Sequence, residues 1–306
     1  MTRARALLAA RVGFVLLAVG CAWWGFGGRW GEIGETIGQV GPTRFLGATA
    51  CAFAGLTLTG VLWWRLLAAL GSPVVPRSAA SVFFVGQLGK YVPGSVWSFA
   101  AQAQLGRRHA VPVRTSVTAS TLFLLVHTAS GLLLGGALAA GGAVCTDLDR
   151  EWWLLVALGG GALMSPPVLR LLGDRLAGAG VRTAFTGGDL AGAAALMAGV
   201  WGCYGVSLWL LVPLARSAPA DLVTATAVFA LAHAAGVLLV FAPAGLGARE
   251  AVVVALLAPT VGVPAAAAAA LLARLAHTVA DFALAAAAAG WARRAAVREV
   301  VGAGHP

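Results

Sequence analysis

Apolar positions run along this chain in long, nearly unbroken blocks. Those over residues 7–26, 45–70, 116–141, 152–172, 190–213 and 265–289 each reach the roughly 20 residues a helix needs to cross a hydrocarbon core about 30 Å thick. Two further blocks, 78–106 and 222–258, are as apolar but interrupted, the first at Pro93-Gly94 and the second at Pro243-Ala244-Gly245-Leu246-Gly247. Proline removes a backbone donor and glycine favours a turn, so each block predicts two short helices joined by a break. The arms of 78–106 are about 12–14 residues, or roughly 18–21 Å of helix. That passes the middle of the core without crossing it. The pattern predicts an all-α polytopic membrane protein with about six full transmembrane helices and two re-entrant hairpins.

Charge fixes how these elements are threaded. The chain is 60% hydrophobic and 10% charged, against about 25% charged residues in soluble domains, so a soluble fold is excluded. The formal charge of +10 calls for no nucleic-acid partner, because cytoplasmic loops of membrane proteins are normally rich in arginine. If both interrupted blocks enter and leave on one side, Arg65, Arg77, Arg107, Arg108, Arg114, Arg170, Arg175, Arg182, Arg293 and Arg294 gather with both termini on the cytoplasmic side. Asp147, Asp149 and Glu151 then lie outside. A single crossing at 78–106 would reverse much of this and break the positive-inside rule. The order span, span, hairpin, span then occurs twice, in a first half of about 1–145 and an inverted second half of about 150–292, with 293–306 a short cytoplasmic tail. Gly60-Val61 with Trp64, before one hairpin, echo Gly205-Val206 with Trp209 before the other. Opposed broken helices in inverted repeats are a transporter arrangement. Arg3, Arg5 and Arg11 before an apolar run resemble a signal peptide, but the run continues through Trp23, Trp24 and Phe26, so a retained first helix is expected. Cys21, Cys51, Cys145 and Cys203 show no ligand spacing, so neither a disulfide framework nor a metal site is expected.

Candidate chemistry sits at the breaks formed by Gly89, Pro93, Gly94, Pro243, Gly245 and Gly247. Lys90, the single lysine of the chain, lies at the first; Arg249 and Glu250 follow the second. A helix N-terminus offers free N–H groups and partial positive charge to an anion, and Ser95 is placed to cap the returning arm of the first hairpin. Each charge at the bilayer centre costs about 2.5–3.5 kcal/mol on insertion scales. Two cations there point to a visiting anion; the competing account is that Glu250 permanently neutralises Lys90 or Arg249. Arg274, His277 and Asp281, at i, i+3 and i+7, share one helix face. That face can pair internally, line a cavity, or relay protons through His277 and Asp281. His127 and His233, alone in apolar runs, read as bundle residues. Without a nucleophile–base pair, no enzyme is expected, and no cofactor.

The stretches GKYVPGSVWSFAAQAQLGRRHAVP (89–112) and PAGLGAREA (243–251), with ALLARLAH (270–277) after them, resemble the signature regions of the lysylphosphatidylglycerol synthase transmembrane-region family. Its members include the flippase half of the bacterial multiple peptide resistance factor. The resemblance covers most of residues 45–291, and its first stretch is similar to a PG-x-x-W subgroup. It implies a flippase-like protein, expected in a bacterial inner membrane, and with the reading of the breaks above Lys90, Tyr91, Ser95, Trp97, Arg249, Glu250 and Arg274 are the substrate-binding candidates. Membrane lipids are the expected partners, and an anionic phospholipid or lipid-linked precursor the expected cargo. Nothing in these residues resembles the aminoacyl-transferase domain, so lysyl transfer is not implied. Two alternatives stand beside this reading: a proton-coupled exporter of a small anion, and a non-transporting accessory subunit of a cell-envelope synthesis complex.

Overall fold

The computed structural model describes residues 28–92, 96–178, 187–212, 219–239 and 243–303, with residue 20. The expected first span, 7–26, and Pro93, Gly94 and Ser95 lie outside the described residues. All the described elements are helical, and the chain is an all-α polytopic membrane protein. They are α1 (Trp30–Ala69), α2 (Pro76–Gln87), α3 (Trp97–Gly106), α4 (Val113–Ala140), α5 (Arg150–Leu163), α6 (Pro166–Ala177), α7 (Gly187–Leu211), α8 (Pro219–Leu238), α9 (Ala248–Val261) and α10 (Val263–Ala303). A 3-10 turn, Leu88–Tyr91, follows α2, and another, Pro243–Gly245, precedes α9. Among the described residues, five helices are long and apolar enough to cross a membrane: α1, α4, α7, α8 and α10.

Proline and glycine set the boundaries where the sequence places them. Val75 is extended ahead of Pro76 at the start of α2, as a residue before proline prefers. Gly262, at φ 87°, ends α9, using the left-handed conformation open to glycine. Two boundaries differ from expectation. The helix expected from residue 45 already begins at Trp30, bending at Gly41 (φ 68°) before Pro42. Its added segment buries Ile33 against Ala267 and Ala268 of α10. The single span expected at 152–172 is instead the pair α5 and α6, bent by 50°. Pro166 and Pro167 lack the N–H groups that would carry a helix across this point.

Both interrupted blocks fold as helical hairpins. In the first, α2 packs on α3; in the second, α8 packs on α9; and the two tips touch each other. The arms of the first have 12 and 10 residues, whereas α8 has 20 and is long enough by itself to cross. Each hairpin also packs on a long helix that follows the other. The first hairpin contacts α10 through α2, the second contacts α4 through α8, and α1 packs on α7 at the centre. Close approach within the hairpins depends on glycine. A Cβ on Gly89 would lie 2.6 Å from the Ser98 nitrogen, and one on Gly245 would lie 2.7 Å from the Gly236 Cα. The alanine run 265–270 also works as a packing surface, with Ala266, Ala267, Ala268 and Ala269 wholly buried. Small residues of this kind let membrane helices come together. Farther along α10, Leu271, Leu275, Val279 and Phe282 are exposed at helical spacing, an apolar stripe suited to lipid.

Gly89→Ala forces backbone apart at the first tip and should cost roughly 1–3 kcal/mol, as overpacking does. Gly38→Ala, with open space around its Cβ position, should be neutral or stabilising by up to about 1 kcal/mol. Thermal unfolding of the two variants in detergent reads the difference; equal melting temperatures would contradict this packing.

Candidate functional site

The tips converge on one face of α10. From the first, the Lys90 Nζ pairs with the Asp281 Oδ2 at 2.6 Å. The Tyr91 hydroxyl donates to the same oxygen at 2.7 Å, and its ring stacks on Phe282 with centroids 5.5 Å apart. From the second, the Glu250 Oε1 pairs with the Arg274 Nη1 at 2.7 Å. The other oxygen, Oε2, accepts the Gly247 N–H, also at 2.7 Å, so a single carboxylate caps the N-terminus of α9 and ties it to α10. Arg274 donates further to the Ala244 carbonyl at 3.4 Å. Asp281 lies two turns beyond Arg274, about 10 Å along the axis. One helix thus holds both hairpins, each by one ion pair.

These pairings differ from the neutralisation weighed on the sequence. Glu250 takes Arg274, not Lys90 or Arg249, and Asp281 takes Lys90. Arg274 and Asp281 share a face without pairing each other, because two turns are too far for a direct bond. Arg249 therefore has no carboxylate of its own among the described residues. Its guanidinium lies over the Phe229 ring, 4.3 Å from the centroid, and its Nη2 is buried with no hydrogen-bond partner. Stacking on an aromatic face offsets part of the cost of holding the charge.

A cavity of about 210 Å³ opens where the tips meet. Lys90, Tyr91, Arg249, Arg274, His277 and Asp281 all line it, and so does Gly245 of the second break. Glu250 stands behind Arg274. Trp97 is not in the lining and is 46% exposed at the start of α3. Among the described residues around the site, three cations face two carboxylates, which leaves one excess positive charge. The aromatic wall includes Phe83, Phe123 and Tyr204. Gln102, buried in α3, also reaches the cavity and accepts a hydrogen bond from the Ser120 hydroxyl.

The reading of His127 and His233 as isolated bundle residues missed their convergence. Both line the cavity with His277, and the first two rings lie 4.3 Å apart. His277 is clamped between Phe229, 4.8 Å away, and Tyr204, 5.0 Å away. The available signal was three imidazoles, each inside an apolar run, since ionisable residues at membrane depth are functional candidates by default.

The ion pair at the first tip yields an asymmetric prediction. The Asp281 side chain is 8% exposed and that of Lys90 32%. Removing Lys90 strands a buried carboxylate, whereas a stranded lysine can turn its ammonium toward water. Lys90→Gln should therefore destabilise by about 3 kcal/mol and Asp281→Asn by about 1 kcal/mol, with the double variant near Asp281→Asn. Denaturant or thermal titration of the four proteins measures this cycle, and the reverse ranking would refute it.

No curated protein matches this chain. The family described as Lysylphosphatidylglycerol synthase TM region matches residues 9–285, a range that contains both hairpins, the cavity and every paired charge described above. The chain belongs to the lysylphosphatidylglycerol synthase TM-region family.

Proposed function

We propose that the protein moves an anionic lipid, a phospholipid or a lipid-linked precursor, between membrane leaflets. The head group passes through the cavity between the tips while the acyl chains stay in the bilayer. The observation that carries this reading is Arg249, a cation at the cavity with no carboxylate partner among the described residues. The paired cations, Lys90 and Arg274, hold the tips to α10; the excess one is available to a phosphate. A phosphate arriving there competes with Asp281 for Lys90, and its entry is coupled to release of the first tip. The cavity is smaller than the 300–1,000 Å³ usual for whole small molecules, which suits a head group with its tails outside. In this reading the chain binds and moves its substrate without making or breaking bonds. The halves are inverted, the hairpins enter from opposite faces, and both termini are cytoplasmic in a bacterial inner membrane.

A proton-coupled exporter of a small anion is the second reading, favoured by His277 and Asp281 lining the same cavity. Purified protein reconstituted in vesicles with a trace of fluorescent-tailed anionic lipid separates the two. The lipid reading predicts leaflet exchange without a pH gradient. Arg249→Gln should slow it about ten- to hundredfold, the equivalent of a charge-assisted hydrogen bond worth about 1.5–3 kcal/mol. Lys90→Arg should keep part of the activity, because charge survives although the compact ammonium does not. Exchange that persists in folded Arg249→Gln, or that requires a pH gradient, would count against the lipid reading.

The orientation has its own test. Cys145 is exposed in the α4–α5 connection and should react with a membrane-impermeant thiol reagent on intact cells. A cysteine introduced at Arg108, in a chain lacking the others, should react only after lysis. Labelling of that position from outside would reverse the assignment of the first hairpin.

A further inference from the structure

A second cavity, of about 470 Å³, lies away from the hairpin tips, among α1, α4, α6 and α7. Among the described residues none lines both cavities. The wall between them runs through neighbouring side chains of α4: Phe123 faces the tips, whereas Leu122 and Val126 face the second cavity. The floor is apolar and buried. Leu62, Leu66, Leu122, Val126 and Leu169 form it, each at most 7% exposed. The mouth is polar, with Arg65 near the end of α1 and Asp189 in the first turn of α7 both exposed there. Arg65 lies against α7, its Nη1 3.0 Å from where a Cβ on Gly192 would sit. It makes no ion pair among the described residues.

Shape and polarity define the ligand. An apolar floor beneath a charged mouth takes a molecule with a long apolar body and one polar end. A water molecule's share of liquid volume is about 30 Å³ and a methylene takes nearly the same, so the cavity accommodates about 15 chain carbons. That is one alkyl chain, not two. The second chain of a diacyl lipid would start at the mouth, where it meets Arg65 and Asp189 instead of apolar surface. The mouth also selects the head. The planar fork of a guanidinium matches a carboxylate through two parallel N–H···O bonds, and Asp189 beside it opposes a head of higher negative charge. We propose that this cavity binds a long-chain carboxylate, a fatty-acid anion, with its chain on the apolar floor and its head on Arg65. The site does not depend on the function proposed above.

Binding of labelled hexadecanoate to the full chain in nanodiscs of a zwitterionic diacyl lipid tests this, with empty nanodiscs as background. Binding should saturate, and unlabelled hexadecanol should compete about tenfold more weakly than hexadecanoate, the loss of a charge-assisted hydrogen bond. Octanoate, too short to fill the floor, should hardly compete. Arg65→Gln changes an exposed residue and should reduce hexadecanoate to the strength of hexadecanol. Ala193→Leu takes up part of the cavity and should move the preference from hexadecanoate to dodecanoate, a shift that simple misfolding does not produce. Absence of saturable binding above empty nanodiscs overturns the site, and that result needs no variant to fold. Octanoate competing as well as hexadecanoate overturns it too, as does stronger competition by hexadecylammonium or a carboxylate preference that survives Arg65→Gln. Binding lost in folded Arg249→Gln but kept in Arg65→Gln would assign the ligand to the cavity at the tips and also overturn the proposal.

Discussion

Charge in an apolar surrounding must be matched, and in this protein one helix does the matching. α10 carries Asp281 toward the first hairpin tip and Arg274 toward the second, and each meets its opposite charge at 2.6–2.7 Å. Without these pairs, Lys90 and Glu250 would each be an uncompensated charge at a broken helix, where backbone groups already lack their usual partners. The broken helices, the meeting of their tips and the cavity between them all depend on this shared mooring.

The same matching explains why the cavity is chemically unequal. Lys90 and Arg274 are held, and Tyr91 and Gly247 add their own bonds to the two carboxylates. Arg249 is left against an aromatic ring. A fully neutralised site would have little reason to receive an anion, and a site with several free cations would be costly to insert and slow to release. A single excess charge beside two breakable pairs lies between these extremes. In the function proposed above, that balance is what lets an anion be held and then let go.

Much of the fold was legible because lipid imposes a length and the backbone imposes its breaks. The blocks at 116–141 and 190–213 became α4 and α7 almost residue for residue, and the Gly-Pro runs at Gly89 and Pro243 fell where the helices stop. The bend between α5 and α6 was written in Pro166-Pro167, but hydropathy averaged over 152–172 hid it. At the site, Lys90, Arg249 and the Arg274–His277–Asp281 face could be singled out from their rarity and spacing. Their partners could not. Pairing depends on which tip reaches which turn of α10, a tertiary fact with no signature along the chain. The histidines escaped for the same reason, since His127, His233 and His277 meet only when α4, α8 and α10 are packed together.

The most direct measurement is leaflet exchange of two fluorescent-tailed lipids in otherwise identical vesicles, one with an anionic phosphodiester head group and one zwitterionic. With the excess positive charge at the cavity as the basis of selection, protein-containing vesicles should exchange the anionic lipid faster than the zwitterionic one and faster than protein-free vesicles. Equal rates for the two lipids, or no acceleration of either, would contradict the account.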